Sequence, residues 1–526
     1  MTNSIQDVQQ ADTIFITGSN TTESHPVIGA QIKKAVRNGA KLIVADPREI
    51  PLAKEADIFL KIKPGTSIAL HNAMIHVILE ENLQDNEYIS TNTENFEALA
   101  EAVKKYTPEY AAEICGLKPA DIREAARLYA GVGKAAIMYC MGITQHVNGT
   151  ETVISLSNLA LVTGNIGKAG AGLNPLRGQN NVQGACDMGA LPNVFTGYQP
   201  VSNPGAVEKF EKAWGVTLSD KAGLTVTEAF NAIDEDRVKM LYIFGENPMI
   251  SDPDTHHAEK ALKKSFLVVQ DLFLTETAEL ADVVLPAASF AEKDGTFVNT
   301  ERRVQRVRKA VNPPGEAKAD WVVFMEIMNR LGYDKQYSDV EEIFEEIRTV
   351  TPQYAGISYD RINTRGIQWP CPTEEHPGTP VLHIGKPARG AGLLKPVEFV
   401  ESMELGDETY PLVLTTGRIL YHYHTMSMTG KTEGLNQIAP EVYVEINPEL
   451  AAARGIENGD MVTITSRRGD VTMKAMLTDR VDNDVLFIPF HWSSGANVLT
   501  NGDVLDQYCK IPGLKVTGVN LEKVAQ

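Results

Sequence analysis

At 526 residues the chain is too long for one hydrophobic core and is sized for about three domains. Its 43% apolar and 22% charged residues, with no run of 18 apolar residues, describe a globular, cytoplasmic-type protein with no membrane span. The balance of 49 basic against 68 acidic residues, a net charge of -19, excludes nucleic acid and anionic membrane surfaces and leaves protein subunits or electron carriers as partners.

The chain opens with a strand over 12–18, a helix over 25–38 stopped by Gly39, and a second apolar strand over 41–45 that ends at Asp46. That is a βαβ unit, whose ligands belong beyond the carboxyl ends of the strands. A further apolar strand over 135–140 runs into Met141, Gly142 and Gln145.

Next comes the run Pro175-Leu176-Arg177-Gly178-Gln179-Asn180-Asn181-Val182-Gln183-Gly184-Ala185-Cys186-Asp187-Met188-Gly189, read as a polar loop between two apolar helices. Its glycines let backbone approach a ligand, its amides offer paired donors and acceptors, and Arg177 supplies a planar fork for a carboxylate or phosphate.

The βαβ plan then recurs as a strand over 240–245, a helix over 254–264 and a strand over 266–271. Gly18-Ser19-Asn20 matches Gly245-Glu246-Asn247, Asp46 matches Asp271, and Glu55-Ala56-Asp57-Ile58 matches Leu280-Ala281-Asp282-Val283. Two such units suggest two nucleotide-like groups on one chain, each with an acidic residue placed to accept from ribose or purine. Asp254-Thr255-His256-His257 reads as a helix start capped by Asp, and no metal ligand set is expected.

A helix over 320–332 leads to a stretch punctuated by Pro370, Pro372, Pro377, Pro380, Pro387 and Pro396, the expected linker. Beyond it, strands over 410–416, 443–446, 461–466, 471–477 and 485–489, with one helix over 448–454, predict an all-β domain. The fold class is therefore α/β, with two related doubly wound nucleotide-binding domains (1–178 and 179–368), a Pro-rich linker (369–404) and a C-terminal β-barrel (405–526). The five cysteines, Cys115, Cys140, Cys186, Cys371 and Cys509, form no C-x-x-C pair, so neither a disulfide framework nor a complete iron–sulfur site is legible.

The Arg-Gly-Gln-Asn-Asn-Val-Gln-Gly-Ala-Cys-Asp-Met run resembles, nearly residue for residue, a segment of the molybdenum- or tungsten-dependent formate dehydrogenases. These belong to the bis-molybdopterin guanine dinucleotide oxidoreductase superfamily, and the resemblance extends along essentially the whole chain. It implies bis(molybdopterin guanine dinucleotide) with Mo or W as cofactor and a double-psi-type barrel closing over the pterins. The first nucleotide arm would meet Gly18, Asn20, Ser24, Asp46, Arg48, Gly65 and Ser67. The second would meet Gly245, Asn247, Ser251, Gln270, Asp271 and Asp320. Met141, Gly142 and Gln145 resemble the segment beside the metal, and Gln179 would shape the pocket. In the barrel, Arg418, His422, His424, Asn497 and Lys515 fall where relatives contact pterin and phosphate groups.

The same resemblance implies the reaction: formate, its carboxylate on Arg177, is oxidised to carbon dioxide, and two electrons leave through a pterin to a 4Fe-4S cluster. Relatives carry that cluster, and a selenocysteine or cysteine metal ligand, on an N-terminal segment without counterpart here. The expectation is that this chain is the C-terminal portion of such an enzyme, with the iron–sulfur part on a missing N-terminal segment, lost at a selenocysteine codon, or on a separate subunit. The isolated chain would then be inactive. Expected partners are formate and an electron-accepting subunit, such as a hydrogenase, ferredoxin or NAD-linked flavoprotein. Two alternatives stand beside this: a nitrate or arsenic oxyanion reductase of the superfamily, and a cofactor-free scaffold subunit of an electron-transfer complex.

Overall fold

The computed structural model describes residues 1–131 and 133–525. The chain divides into two units, one built from Met1–Leu176, Pro248–Ala258 and Val381–Gln526, the other from Arg177–Asn247 and Glu259–Pro380. The Pro-rich stretch 369–404 is shared, its first part lying with the second unit and the part from Val381 with the first.

In the first unit, β1 (Thr13–Thr17), β2 (Lys41–Ala45), β3 (Ile58–Leu60), β4 (Ala135–Tyr139) and β5 (Gly172–Pro175) form a parallel sheet in the order β3-β2-β1-β4-β5. All of β1 is buried because its two faces meet different layers. Ile14 and Ile16 pack with Ile28, Ile32 and Ala35 of α2 (Pro26–Arg37), which follows the one-turn α1 (Thr21–Ser24). Phe15 packs on the opposite side with the core of α3 (Ser67–Glu80). The short α4 (Met141–Thr144) and the longer α5 (Gly149–Val162) follow β4. Strand β5 was not legible beforehand, since Gly-Leu-Asn-Pro carries no strand signal of its own and is fixed by pairing with β4.

The same core sets an acid limit. His71 of α3 is fully buried, with Nδ1 bonded to Ser155 Oγ at 2.8 Å and Nε2 without a partner, and burial pushes its pKa down to about 3. Burial lowers that of His146 to about 4. Both are neutral when folded but protonate near pH 6.5 once unfolded, so the unfolded chain binds more protons as pH falls below that value. Stability is thus lost on acidification from about pH 6.5, by roughly 2 kcal/mol per histidine at pH 5. We expect His71→Leu to flatten the fall in urea midpoint between pH 7 and pH 5; an unchanged slope would assign the acid sensitivity elsewhere.

In the second unit the expected loop 175–189 is corrected. Pro175 ends a strand, and residues beyond Arg177 wind into α6 (Val182–Asp187), so the run is a strand-to-helix turn rather than a link between helices. Strands β6 (Met240–Phe244), β7 (Phe266–Asp271) and β8 (Val283–Pro286) form a parallel sheet in the order β8-β7-β6. Helix α7 (Thr255–Lys264) joins the first two.

The repeat seen in the sequence is reproduced bond for bond. Gly18 N donates to Ala45 O at 3.1 Å and Gly245 N to Gln270 O at 2.9 Å. Asp57 Oδ2 accepts from Leu42 N at 2.9 Å and Asp282 Oδ2 from Leu267 N at 2.8 Å. After β8 the chain enters an antiparallel sheet of β9 (Gly295–Val298), β10 (Arg303–Val307) and β11 (Ile367–Gln368), with α8 (Asp320–Arg330) in between.

The C-terminal residues, part of the first unit, form a closed barrel of β12 (Leu412–Gly417), β13 (Tyr443–Ile446), β14 (Met461–Ser466), β15 (Asp470–Leu477), β16 (Val485–Pro489) and β17 (Thr517–Lys523), in the order β12-β16-β13-β15-β14-β17. Strand β17 went unread because it alternates weakly, yet it closes the barrel between β12 and β14. No helix among the described residues is long and apolar enough to cross a membrane.

Candidate active site

At the carboxyl end of β1, Gly18 adopts a φ of 55° and its carbonyl accepts from Gly142 N at 3.0 Å. A Cβ on Gly18 would stand 2.6 Å from the Gly142 carbonyl carbon, and one on Gly142 would stand 2.6 Å from Gly18 Cα. Only two glycines let α4 start this close to the strand end. Asn20 and Ser24 bracket α1, where Ser24 N donates to Asn20 O at 2.9 Å. Asn20 Nδ2 is buried without a protein acceptor, an arrangement that costs about 1–3 kcal/mol unless a ligand oxygen receives it.

Asp46 ends β2 and accepts from Arg48 N at 3.0 Å. Burial raises its pKa to about 6, against the opposing pull of Arg48 and Lys515. The buried Arg48 grips Glu445 of β13 through two hydrogen bonds, Nε to Oε2 at 2.6 Å and Nη2 to Oε1 at 2.5 Å, and lies 4.2 Å from the Phe487 ring centroid. Burial acts to lower the Arg48 pKa, but the Glu445 bonds outweigh it and the net shift is upward. Gly65, at a φ of 86°, turns the chain into α3, whose first residue is the buried Ser67. Gln145 closes α4 with its amide on Met141 O at 2.9 Å.

The barrel brings cations to the same neighbourhood. Lys515 is buried and donates to Thr416 O at 2.9 Å; desolvation pulls its pKa down to about 8, with Cys140, Arg418 and Asp46 within electrostatic reach. Arg418 is held down by burial and stacks over Tyr423 and Phe490. His424, at a φ of 47°, is driven to about 4 by burial and then by Arg418. Buried cations with depressed pKa values favour an anionic ligand, since a phosphate would restore their charge. Beside Arg48 a cavity of about 630 Å³ opens, lined by Glu23, Tyr421, Tyr443, Met476 and Arg480, large enough for a nucleotide.

Other expected contacts are engaged with protein. His422 meets Ala439 O through Nε2 at 2.8 Å and Thr429 Oγ1 through Nδ1 at 3.3 Å, the pattern of a packing histidine. Asn497 Nδ2 donates to Ile250 O at 2.7 Å and to Ser251 O at 3.0 Å, so it positions the turn carrying Ser251.

In the second unit Gly245 keeps a φ of 66° with open space around it, so glycine is required there for conformation and not for close approach. Asn247 caps the turn, accepting from Thr277 Oγ1 at 2.7 Å and donating to Glu276 at 2.9 Å. Gln270 donates to Asp320 at 2.7 Å, and Lys293 pairs with the other Asp320 oxygen. Burial raises the pKa of Asp271.

Arg177 N donates to Thr300 Oγ1 at 3.0 Å, and Asn181 Oδ1 accepts from Val298 N at 2.9 Å, so the turn carrying Arg177, Gln179 and α6 is pinned to the hairpin β9–β10. Behind it stands a hub that sequence reasoning missed. Asp187, 1% exposed, accepts from Gln183 at 2.8 Å, Tyr198 at 2.8 Å, Tyr354 at 2.5 Å and Trp369 at 2.7 Å. Gln183 lies one turn before it on α6, but Tyr354 and Trp369 come from far along the chain, which no local pattern announces. Glu445, also missed, had a visible signal: a carboxylate within the apolar strand Tyr-Val-Glu-Ile.

The described residues contain no group of three His, Cys, Asp or Glu side chains fit to hold a metal ion. What they offer is a glycine cradle, an orphaned amide, buried cations and a nucleotide-sized cavity at strand ends, which suit a pterin dinucleotide.

Residues 1–330 match the family described as Molybdopterin oxidoreductase, and residues 412–518 match the Molydopterin dinucleotide binding domain. The chain belongs to the molybdopterin oxidoreductase family. Within it, the chain is 56% identical to the F420-dependent formate dehydrogenase subunit alpha of Methanocaldococcus jannaschii, across its whole length and 78% of that protein. It is 40% identical to formate dehydrogenase H of Escherichia coli, over all of this chain and 74% of that protein. Acetylene hydratase from Pelobacter acetylenicus shares the fold, with a TM-score of 0.79 at 20% identity over 99% of this chain and 81% of that one.

Proposed function

We propose that this chain provides the formate-binding and cofactor-binding part of a formate dehydrogenase that oxidises formate to carbon dioxide. The observation that carries the reading is the placement of Arg177, on a turn fixed by Thr300 and Asn181 within the run that resembles formate dehydrogenases. The chain's strong similarity to formate dehydrogenase alpha subunits supports it.

The guanidinium receives the two carboxylate oxygens of formate, orients the monoanion and leaves its C–H end pointing away from the cation. Asn20, Arg418 and Lys515 hold the anionic and hydrogen-bonding edges of one pterin dinucleotide, and Asp46 with the cavity beside Arg48 receives its nucleotide end. Gly245, Asp271, Gln270 and Asp320 receive the second. When bound, the bis-pterin molybdenum or tungsten centre supplies the two-electron acceptance that no side chain offers. An iron–sulfur cluster, where the assembled enzyme holds one, would supply onward electron transfer. The relatives named F420-dependent support F420 as the electron acceptor ahead of a hydrogenase, ferredoxin or NAD-linked flavoprotein.

Denaturing the purified protein and counting released guanine nucleotide by mass spectrometry, alongside elemental analysis for Mo and W, tests the cofactor assignment. Two guanine nucleotides and one metal per chain are expected. A count of one nucleotide would remove the second binding unit from the proposal. A substrate panel with an artificial electron acceptor, run on the enzyme assembled with its iron–sulfur portion, should show turnover of formate and none of nitrate or arsenate.

A further inference from the structure

The turn after β12 carries Arg418 and His424, and one side chain at the end of the neighbouring strand holds it at two points. His491 follows β16, which pairs with β12, and is fully buried. Its Nε2 accepts from Ile419 N at 3.1 Å, and its Nδ1 meets His424 O at 2.5 Å. The ring stacks on Phe490 with centroids 4.8 Å apart and meets Trp492 edge-on.

Those two bonds fix the chemical form of the ring. An imidazole nitrogen that accepts from a backbone N–H carries no proton, and one that faces a carbonyl must carry it, so His491 is neutral and protonated on Nδ1. Phe offers neither group and Trp only a donor, while an Asn or Gln amide presents both from one end rather than across a ring. The charged or titratable groups within electrostatic reach are Arg418, His422 and His424; burial first, and then these three, lower the pKa to about 3 against the opposing His424 bond.

The backbone that the ring holds is strained. His424 and Met426 adopt φ of 47° and 61°, a left-handed conformation that costs side chains other than glycine roughly 1–2 kcal/mol each. Ile419, Leu420 and Tyr421, in the same turn, line the cavity beside Arg48. Strain of this kind clusters at ligand sites, where surrounding bonds over-determine it.

We propose that His491 is a positioning residue for the pterin dinucleotide: by bracing Ile419 and His424 it fixes the backbone from which Arg418 and His424 meet the ligand's anionic and hydrogen-bonding groups. This role rests on the reading that the turn binds the cofactor. With no exposed surface of its own, His491 acts through the turn.

The test compares the parent protein, purified with its cofactor, with His491→Phe, which keeps a ring and loses both bonds. Guanine nucleotide retained through gel filtration should fall at least about threefold and exchange of the Ile419 amide should quicken at least about tenfold, while the Val444 amide in β13 keeps the parent rate. His491→Gly supplied with imidazole should recover both properties, and 1-methylimidazole, which accepts but cannot donate, should recover neither. Retention equal to the parent's, exchange at Val444 rising in step with Ile419, or equal recovery with the two imidazoles overturns the proposal, since the ring would then only fill space. A parent that itself carries no guanine nucleotide would withdraw the cofactor reading, and this role with it.

Discussion

Arg177→Lys is expected to lower kcat/KM for formate in the assembled enzyme by about 10²- to 10³-fold, equivalent to roughly 3–4 kcal/mol of transition-state stabilisation. Lysine retains the positive charge and loses the planar fork, so it attracts formate without fixing both oxygens. The turn itself should survive, because its anchors are the backbone N–H of Arg177 on Thr300 and the Asn181 side chain on Val298 N, neither of which needs the guanidinium. Guanine nucleotide and metal content should therefore match the parent enzyme. Equal loss of cofactor and activity would show that Arg177 acts in folding or loading, and the formate-orienting role would be withdrawn.

Glu445→Ala is expected to cost about 3–5 kcal/mol of stability, since it strands the buried guanidinium of Arg48 without a counter-charge. The pair joins the turn after β2 to the barrel strand β13, so the loss should be felt in both parts of the first unit. Replacing both residues by apolar ones, as in Arg48→Met with Glu445→Leu, should recover most of that loss, because two desolvated charges are removed together. Chemical denaturation of the two variants is the measurement. A single variant within about 1 kcal/mol of the parent would mean that water, or the nearby carboxylate of Glu23, satisfies the Arg48 guanidinium instead.

Much of this architecture was legible in one dimension. The paired glycine–acid βαβ units were read from matched residues and recur with matched hydrogen bonds, because a strand ending in glycine before a helix is a local instruction. All five predicted barrel strands form, and in two of them, Met461–Ser466 and Asp470–Leu477, residues alternate between inward and outward faces. The strands at 172–175 and 517–523 escaped because each is defined by its partner rather than its pattern. The run after Pro175 was singled out by its residue types, but the helix beginning at Val182 was not foreseen, since glycines and amides are as compatible with a short helix as with a loop.

The sequence by itself determined the family, the repeat and the acidic strand ends, and singled out Arg177 as a candidate, all from residue type and short-range spacing. Only tertiary structure decided which charges are paired and which are buried beside another cation. Glu445 neutralises Arg48 across almost four hundred residues, while Lys515 and Arg418 are buried together and Asn20 keeps an unmet donor. It alone showed that Asp187 gathers Tyr198, Tyr354 and Trp369. The reason is physical: propensity and periodicity act over a few residues, whereas desolvation and charge pairing depend on what long-range folding brings within a few ångströms.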